Sequence, residues 1–294
     1  MDGVLVVDKP RGLTSHDVVA AARRALREKR IGHTGTLDPI ATGVLPLACG
    51  RATRLVRFLT ASDKDYDAEI RIGLATDTYD VTGREISRAD RVPSRQEVAA
   101  ALDTLKGEYL QAPPPYSAKK IGGRRAYELA RADVAVQPAP VAVSVQRLEL
   151  VDVTANVAAV RLTCSSGFYV RALAHELGVR LGVGACLETL RRTRSGQFDL
   201  HDALTFEALA REPATAQSKI VPLQALLPQF PMVALTEEGV RWAGHGRTIE
   251  TSHVSGLLPE HAAWVRLMSP DGALVAVAEP AGTPGSLHPS VVLI

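Results

Sequence analysis

"IGHTGTLDPIATGVLPLACG", residues 31–50, carries one carboxylate, Asp38, among four glycines, three threonines and one histidine, with no other charged side chain. The half that follows Asp38 is apolar enough to enter a core. Two readings of Asp38 compete. Asp before Pro is a common turn element, and its side chain can bond its own backbone. Yet a carboxylate heading an apolar segment is costly to bury without a cationic partner, and a buried, partnered carboxylate is the setting of a nucleophile or general base. Alone, the stretch favours the turn. Two nucleotide-loop readings fail: it lacks the GK[ST] ending of a Walker A loop, and its glycines do not form GxGxxG. His33 has no companion at metal-ligand spacing, so no metal site is expected.

Upstream, "GVLVVDKPRG" (3–12) reads as a short strand and a turn, followed by a helix from about His16 to Arg27 capped by Thr14 or Ser15. Downstream, "GRATRLVRFL" (50–59) repeats arginine every third residue, which places Arg51, Arg54 and Arg57 on one helical face. "KDYDAEIRIGLAT" (64–76) alternates like a strand, and "DTYDVTGREIS" (77–87) is a loop carrying several acids. A helix capped by Ser94 follows, then a Pro-rich piece, a basic turn and a helix entered near Ala126. Residues 134–164 read as antiparallel strands, "SGFYVRALAHELGVRLG" (166–182) as a turn into a helix, and "CLETLRRTRSGQFDL" (186–200) as a short helix and a Gly turn. From about Met232 the texture becomes mostly β, with one short helix in "TEEGVRWAGHG" (236–246).

A chain of 294 residues can hold one large domain and one small one, here divided as 1–230 and 231–294. The 34 basic and 32 acidic residues nearly cancel, so the sum implies no polyanionic partner; the distribution does. Basic residues cluster at Arg23–Arg30, at Arg51–Arg57, at Lys119, Lys120, Arg124 and Arg125, and at Arg191, Arg192 and Arg194. Each could be a solvated face; four together point to a positive groove for a phosphate-rich ligand. The three cysteines, Cys49, Cys164 and Cys186, show no metal or disulfide spacing and suit buried thiols in a reducing compartment. The N-terminus lacks a signal-peptide pattern and no apolar run reaches the ~18 residues of a membrane span, which places the protein in the cytoplasm.

Three further side chains stand out. Tyr66 is an aromatic between acids, in a chain with only 4% aromatics; it is either an ordinary strand tyrosine or a face for an extruded base. Tyr169 and Arg171 stand at a helix entrance, where an arginine either pairs on the surface or holds a carboxylate bidentately. Spacing does not link Arg171 to Asp38.

With these residues in view, the chain resembles the TruB family of tRNA pseudouridine synthases over nearly all its length. "VDKPRGLTSHDVV" is similar to the family's opening motif and "GHTGTLDPIATGVLPLACG" to its catalytic motif. "KDYDAEIRIGLATDTYDVTG", "PPPYSAKKIGGRRAYELAR", "CSSGFYVRALAHELG" and "LRRTRSGQF" follow in the family's order. The resemblance implies an α/β (α+β) pseudouridine-synthase fold, with a large mixed, mainly antiparallel sheet flanked by helices and a small C-terminal β-rich, PUA-like unit. It implies isomerisation of uridine 55 in the tRNA T-arm without metal or cofactor, by one chain acting as a monomer without guide RNA, with a further role as a tRNA-folding chaperone.

By the same resemblance Asp38 is the catalytic aspartate, acting either as a nucleophile or by removing a ribose proton on a glycal route. Tyr66 would stack on the flipped base, Arg171 would pair with Asp38, and Tyr169 and Leu190 would line the pocket. Lys9 would support the architecture nearby and is counted with His33, Arg24, Lys119 and Lys120 in the RNA-binding set. Ser166 and Phe168 depart from the Lys and Thr often found in relatives. Two other classes remain in contention. An RNA chaperone without chemistry would have no use for Asp38, Tyr66 and Arg171 together. A glycosidic hydrolase would want paired carboxylates, and the motif supplies one.

Overall fold

The computed structural model describes residues 1–116, 120–121, 124–125, 139–259 and 261–294. Its centre is a mixed sheet whose order follows from strand chemistry. β1 (Gly3–Lys9) is buried along nearly its whole length, and its alternate residues serve two cores: Leu5 and Val7 face one, Val4 and Val6 the other. Such a run suits an interior strand covered on both sides. β2 (Ile31–His33) and β3 (Ala41–Cys49) come from the opening stretch, and β3 runs antiparallel to β1 with Gly43 opposite Lys9. β4 (Lys64–Ile72) alternates as expected, with Lys64, Tyr66, Ala68, Ile70 and Ile72 on the buried face.

The short hairpin of β5 (Leu74–Thr76) and β6 (Glu85–Arg88) encloses the acidic loop. β7 (Gly107–Gln111) stands at one sheet edge, and β8 (Lys120–Ile121) with β9 (Arg124–Arg125) makes a separate two-stranded hairpin. β10 (Val141–Thr154) and β11 (Val157–Cys164) are antiparallel neighbours, and β12 (Ala185–Ser195) lies between β3 and β4. Short β13 (Phe198–Asp199) pairs with β12, while β14 (Leu204–Thr205) and β15 (Val221–Pro222) flank β1. The path is β14-β1-β3-β12-β4-β11-β10-β7, parallel only at β14/β1 and β3/β12.

Helices cover one face. α1 (Ser15–Leu26) is capped by Thr14, whose hydroxyl accepts from the Asp17 amide in a reciprocal capping box. α2 (Val56–Thr60) follows a 3-10 turn over Gly50–Leu55, and α3 (Arg95–Asp103) carries the expected Ser94 cap boxed with Glu97. α4 (Val170–Leu181) ends at Gly182, whose φ of 69° is the left-handed conformation that closes helices. α5 (Phe206–Arg211) and α6 (Pro213–Ser218) complete the chain's first part. Val18, Val98, Leu173 and Leu177 from these helices close the larger core.

The last segment forms its own four-stranded sheet of β16 (Met232–Ala234), β17 (Val265–Met268), β18 (Leu274–Pro280) and β19 (Leu287–Val292), with α7 (Glu237–Gly244) against it. It does not stand apart. Leu274, Val277 and Leu293 join Val4, Val6, Val44 and Phe58 in one apolar cluster on the opposite sheet face, which α2 and the last segment cover.

Two expectations change. Residues 186–195 form a central strand, not a helix: good helix formers are overruled because β3 and β4 bond this segment from both sides. The arginines of residues 51–57 make contacts within the protein itself. Arg51 pairs with Asp2 and donates to the Leu293 carbonyl, Arg54 donates to the Val292 carbonyl, and Arg57 lies over Phe58 and Trp264. The expected helix near Ala126 lies outside the described residues.

Candidate active site

Asp38 is both a turn residue and a carboxylate with a cationic partner. The Ala41 amide donates to the Asp38 carbonyl at 3.0 Å, closing a turn with Pro39 in its second position. The loop is held from below: the Ser15 hydroxyl accepts from the Leu37 amide at 2.8 Å, and the Gly12 amide donates to the Pro39 carbonyl at 2.8 Å. The side chain, however, leaves its own backbone and turns to Arg171. Nε donates to Oδ2 at 2.8 Å and Nη2 to Oδ1 at 3.2 Å, a bidentate pair. Asp38 keeps 35% of its side chain exposed while Arg171 keeps 6%, so the pair presents the carboxylate and hides the cation.

Arg171 is itself built in from several elements. Tyr169, just before α4, donates its amide to the Gln111 side chain at 2.8 Å and accepts at its carbonyl from the same side chain at 3.2 Å. That clamp sets where the helix starts, and with it where Arg171 lies. The guanidinium also donates to the Thr78 and Tyr116 carbonyls at 3.0 Å each, and lies 3.8 Å from the buried Asp80 carboxylate. Asp80 in turn accepts from the hydroxyls of Thr78 and Thr82 and from the Thr82 amide.

The pair lies at a cavity of about 240 Å³ whose lining includes Asp38, Lys64, Tyr66, Tyr169, Arg171, Leu190 and Arg192. Every side chain singled out in the sequence for the pocket therefore reaches one cavity. Tyr66 is 9% exposed, and burial pushes its phenol above the ordinary value while the neighbouring Arg192 pulls the other way. Leu190 is 7% exposed. It reaches the cavity through a β-bulge: β12 slips register between Leu187 and Thr189, so Leu190 returns to the core face that Leu187 occupies.

Arg192 and Lys64 were missed as pocket residues. Read as part of a basic cluster, Arg192 is instead fully buried, donating to the Val44 carbonyl at 2.7 Å and the Gly35 carbonyl at 3.0 Å. Gly43 permits the Arg192 backbone to lie close against β3: its φ is 102°, and a Cβ there would lie 2.2 Å from the Arg192 carbonyl. The neighbours of Arg192 are also spent, Arg191 on Asp8 at 2.8 Å and Arg194 on Asp65 at 2.7 Å. Lys64 shares the Tyr66 face of β4, a period-2 signal legible in the sequence, and its ammonium donates to the Thr60 and Ser62 carbonyls.

The RNA-binding set divides. Lys9 is fully buried, its ammonium bonded to the Pro10 and Leu13 carbonyls at 2.9 and 2.7 Å. It supports the turn before α1 and offers no surface contact, which corrects its place in that set. Arg24 is exposed near the end of α1. His33 is half-buried on β2, its ring edge-on to His16 at 6.5 Å, and its Nδ1 has no hydrogen-bond partner. Burial and the nearby His16 and Arg192 lower its pKa. Lys120 lies in β8, and Lys119 lies outside the described residues. Among the described residues no cluster of metal-binding side chains occurs, and no helix is long and apolar enough to cross a membrane.

Comparison with known proteins adds a second line. Residues 23–170 match the family described as TruB family pseudouridylate synthase (N terminal domain), and residues 171–228 match the tRNA pseudouridylate synthase B C-terminal domain. A protein of Solibacter usitatus named tRNA pseudouridine synthase B is 44% identical, with all of both chains covered. One of that name from Symbiobacterium thermophilum is 48% identical over 84% of this chain and 82% of its own. Among solved structures, a chain of a Cbf5-Nop10-Gar1 complex superposes with a TM-score of 0.75 at 26% identity, covering 99% of this chain and 85% of that one. A chain of the archaeal box H/ACA sRNP Nop10-Cbf5 complex gives 0.74 at 24%, a likeness of fold.

Proposed function

The chain belongs to the TruB family of pseudouridylate synthases, and from that membership we propose that it isomerises uridine 55 in the T-arm of tRNA to pseudouridine, with Asp38 as the catalytic group. One observation carries the assignment of the site: a carboxylate held bidentately by a buried arginine, at a cavity shared with a buried tyrosine and a leucine.

The chemistry suits such a cavity. A uridine inside a folded loop is out of reach until it is extruded, at a cost of a few kcal/mol that contacts elsewhere on the RNA offset. Once it is in the cavity, the C1′–N1 bond breaks, the uracil turns, C1′ bonds to C5, and the C5 proton leaves as N1 gains one. The product has the same atoms and oxidation level as the substrate. Asp38 acts on the sugar or base as nucleophile, or as base toward a ribose proton; either role needs its oxygens aimed into the cavity, and Arg171 aims them. Tyr66 offers an aromatic face for the flipped base. Leu190 and Tyr169 hold the base against it and keep water out.

Around the cavity, RNA is read by shape and phosphate contact. Arg24, His33, Lys119 and Lys120 are proposed contacts, and residues 231–294 a PUA-like RNA-binding unit. The chain acts without guide RNA, as a monomer, in the cytoplasm. The same surface would let it refold tRNA as a chaperone, independently of Asp38.

Asp38→Asn separates these roles. On a T-arm stem-loop, pseudouridine formation falls on the order of a thousandfold or more while the RNA affinity stays within about twofold. Substantial turnover by the variant would overturn the assignment of Asp38. Formation at a different uridine of full-length tRNA would overturn position 55.

A further inference from the structure

Between the two groups that touch Arg171 from the acidic loop, Thr78 and Asp80, stands Tyr79, with a φ of 65°. Left-handed backbone is uncommon for a bulky residue and persists only where the surroundings hold it. Here they hold it twice. Its ring lies flat on His175, with centroids 3.9 Å apart and planes within 5° of parallel. Its carbonyl accepts from the Leu187 amide at 2.9 Å, and the Leu187 carbonyl accepts from the Val81 amide at 2.9 Å.

The placement of these contacts matters. His175 stands four residues after Arg171 on α4, so both lie on the same side of the helix, one turn apart. The loop therefore grips α4 at two successive turns. The Tyr79 ring holds the second turn, while the Thr78 carbonyl and the Asp80 carboxylate hold the arginine on the first. Leu187 lies on β12, the strand that brings Leu190 to the cavity, so the loop is tied to the cavity wall as well. The left-handed turn at Tyr79 is what lets its two neighbours point at one guanidinium.

We propose that Tyr79, stacked on His175, is a positioning residue that fixes Arg171 and, through it, the orientation of the Asp38 carboxylate. The inference rests on the reading of this cavity as the reaction centre. Tyr79 touches no reacting atom; its contribution is to geometry, where displacements well below the length of a bond matter.

Single-turnover pseudouridine formation on a T-arm stem-loop tests it. Tyr79→Ala lowers kcat about tenfold to a hundredfold with KM for the RNA within about twofold, and Tyr79→Phe, which keeps the stacking face, restores kcat to within about threefold of the parent. The decisive measurement is a double-mutant cycle. If Tyr79 acts through Arg171, then Tyr79→Ala costs less than about twofold in an Arg171→Lys background. Equal losses in both backgrounds, an effect confined to KM, or an unchanged kcat would each overturn the proposal. If Tyr79→Ala does not fold by circular dichroism, Tyr79→Gly, which accepts the positive φ without strain, takes its place in the cycle. Absence of pseudouridine formation by the unmodified protein would instead overturn the proposed function.

Discussion

The end of α1 and the strand β12 carry basic residues at similar density, and the fold uses them in opposite ways. Arg24, Arg27, Lys29 and Arg30 are exposed. On β12, Arg191 and Arg194 are paired with Asp8 and Asp65, and Arg192 is buried beneath the loop that presents Asp38. A helix end held by one face leaves its other residues in water. An interior strand has neighbours on both edges, so a charge on its packed face, such as Arg192, must be satisfied inside the protein, and the partly exposed Arg191 and Arg194 meet carboxylates on strands of the same sheet. Basic density therefore marks a nucleic-acid surface only where the charges remain unspent, and the electrostatic footprint of this chain is narrower than its sequence suggests.

The largest test of that contrast is Arg192→Ala. It leaves the Val44 and Gly35 carbonyls without a donor and opens a void beside Tyr66, costing roughly 3–5 kcal/mol, measurable by denaturant unfolding. A loss below about 1 kcal/mol would mean that the buried cation is no part of the framework.

A second test concerns Lys64, another buried cation at the cavity. Burial, with Arg192 adding to it, lowers its pKa from 10.5 to about 8. The unfolded chain then holds more protons than the native one between about pH 8 and 10.5, so stability rises with pH across that window. Lys9 is also lowered to about 8 by burial and contributes its own slope. Comparison with Lys64→Met isolates one of the two: relative to the variant, the parent gains up to about 3 kcal/mol from pH 8 to 10.5. A difference that stays flat with pH would show that Lys64 is not strained by burial.

The smallest effects should separate the two basic segments themselves. Arg24→Ala weakens RNA binding a few-fold and lowers the slope of log affinity against log salt by about 1. Arg194→Ala leaves that slope unchanged and costs about 0–1 kcal/mol of stability, as expected for a half-exposed pair. If the two variants gave the same slope change, the distinction between spent and unspent arginines would fail.

Much of the site was legible because its parts are local. The alternation of 64–72 put Lys64 and Tyr66 on one face, and the Asp38–Pro39 turn and the caps at Thr14 and Ser94 were written within a few residues of where they act. What was misread is equally instructive. "CLETLRR" has helix-forming composition and became a strand, because hydrogen bonds from β3 and β4 outweigh differences of tenths of a kcal/mol in propensity. Arg51, Arg54 and Arg57 recur every third residue, but in the fold Arg51 and Arg54 bond the end of the chain and Arg57 lies over Phe58 and Trp264.

By itself, then, the sequence determined the elements whose signal is local: where β4 alternates, where the helices capped by Thr14 and Ser94 start, and that Asp38 sits at a turn. The pairing of Asp38 with Arg171 across 133 residues and the place of Leu190 at the cavity were expected from the family resemblance and not from any local pattern. The tertiary structure makes that pair, turns Leu190 inward through a bulge, and alone buries Arg192 and Lys9. The reason is one of range. Periodicity and caps are settled by interactions within a turn or two of the chain. The partner of a charge and the register of a strand are settled by whatever the fold places beside them, and no local pattern records it.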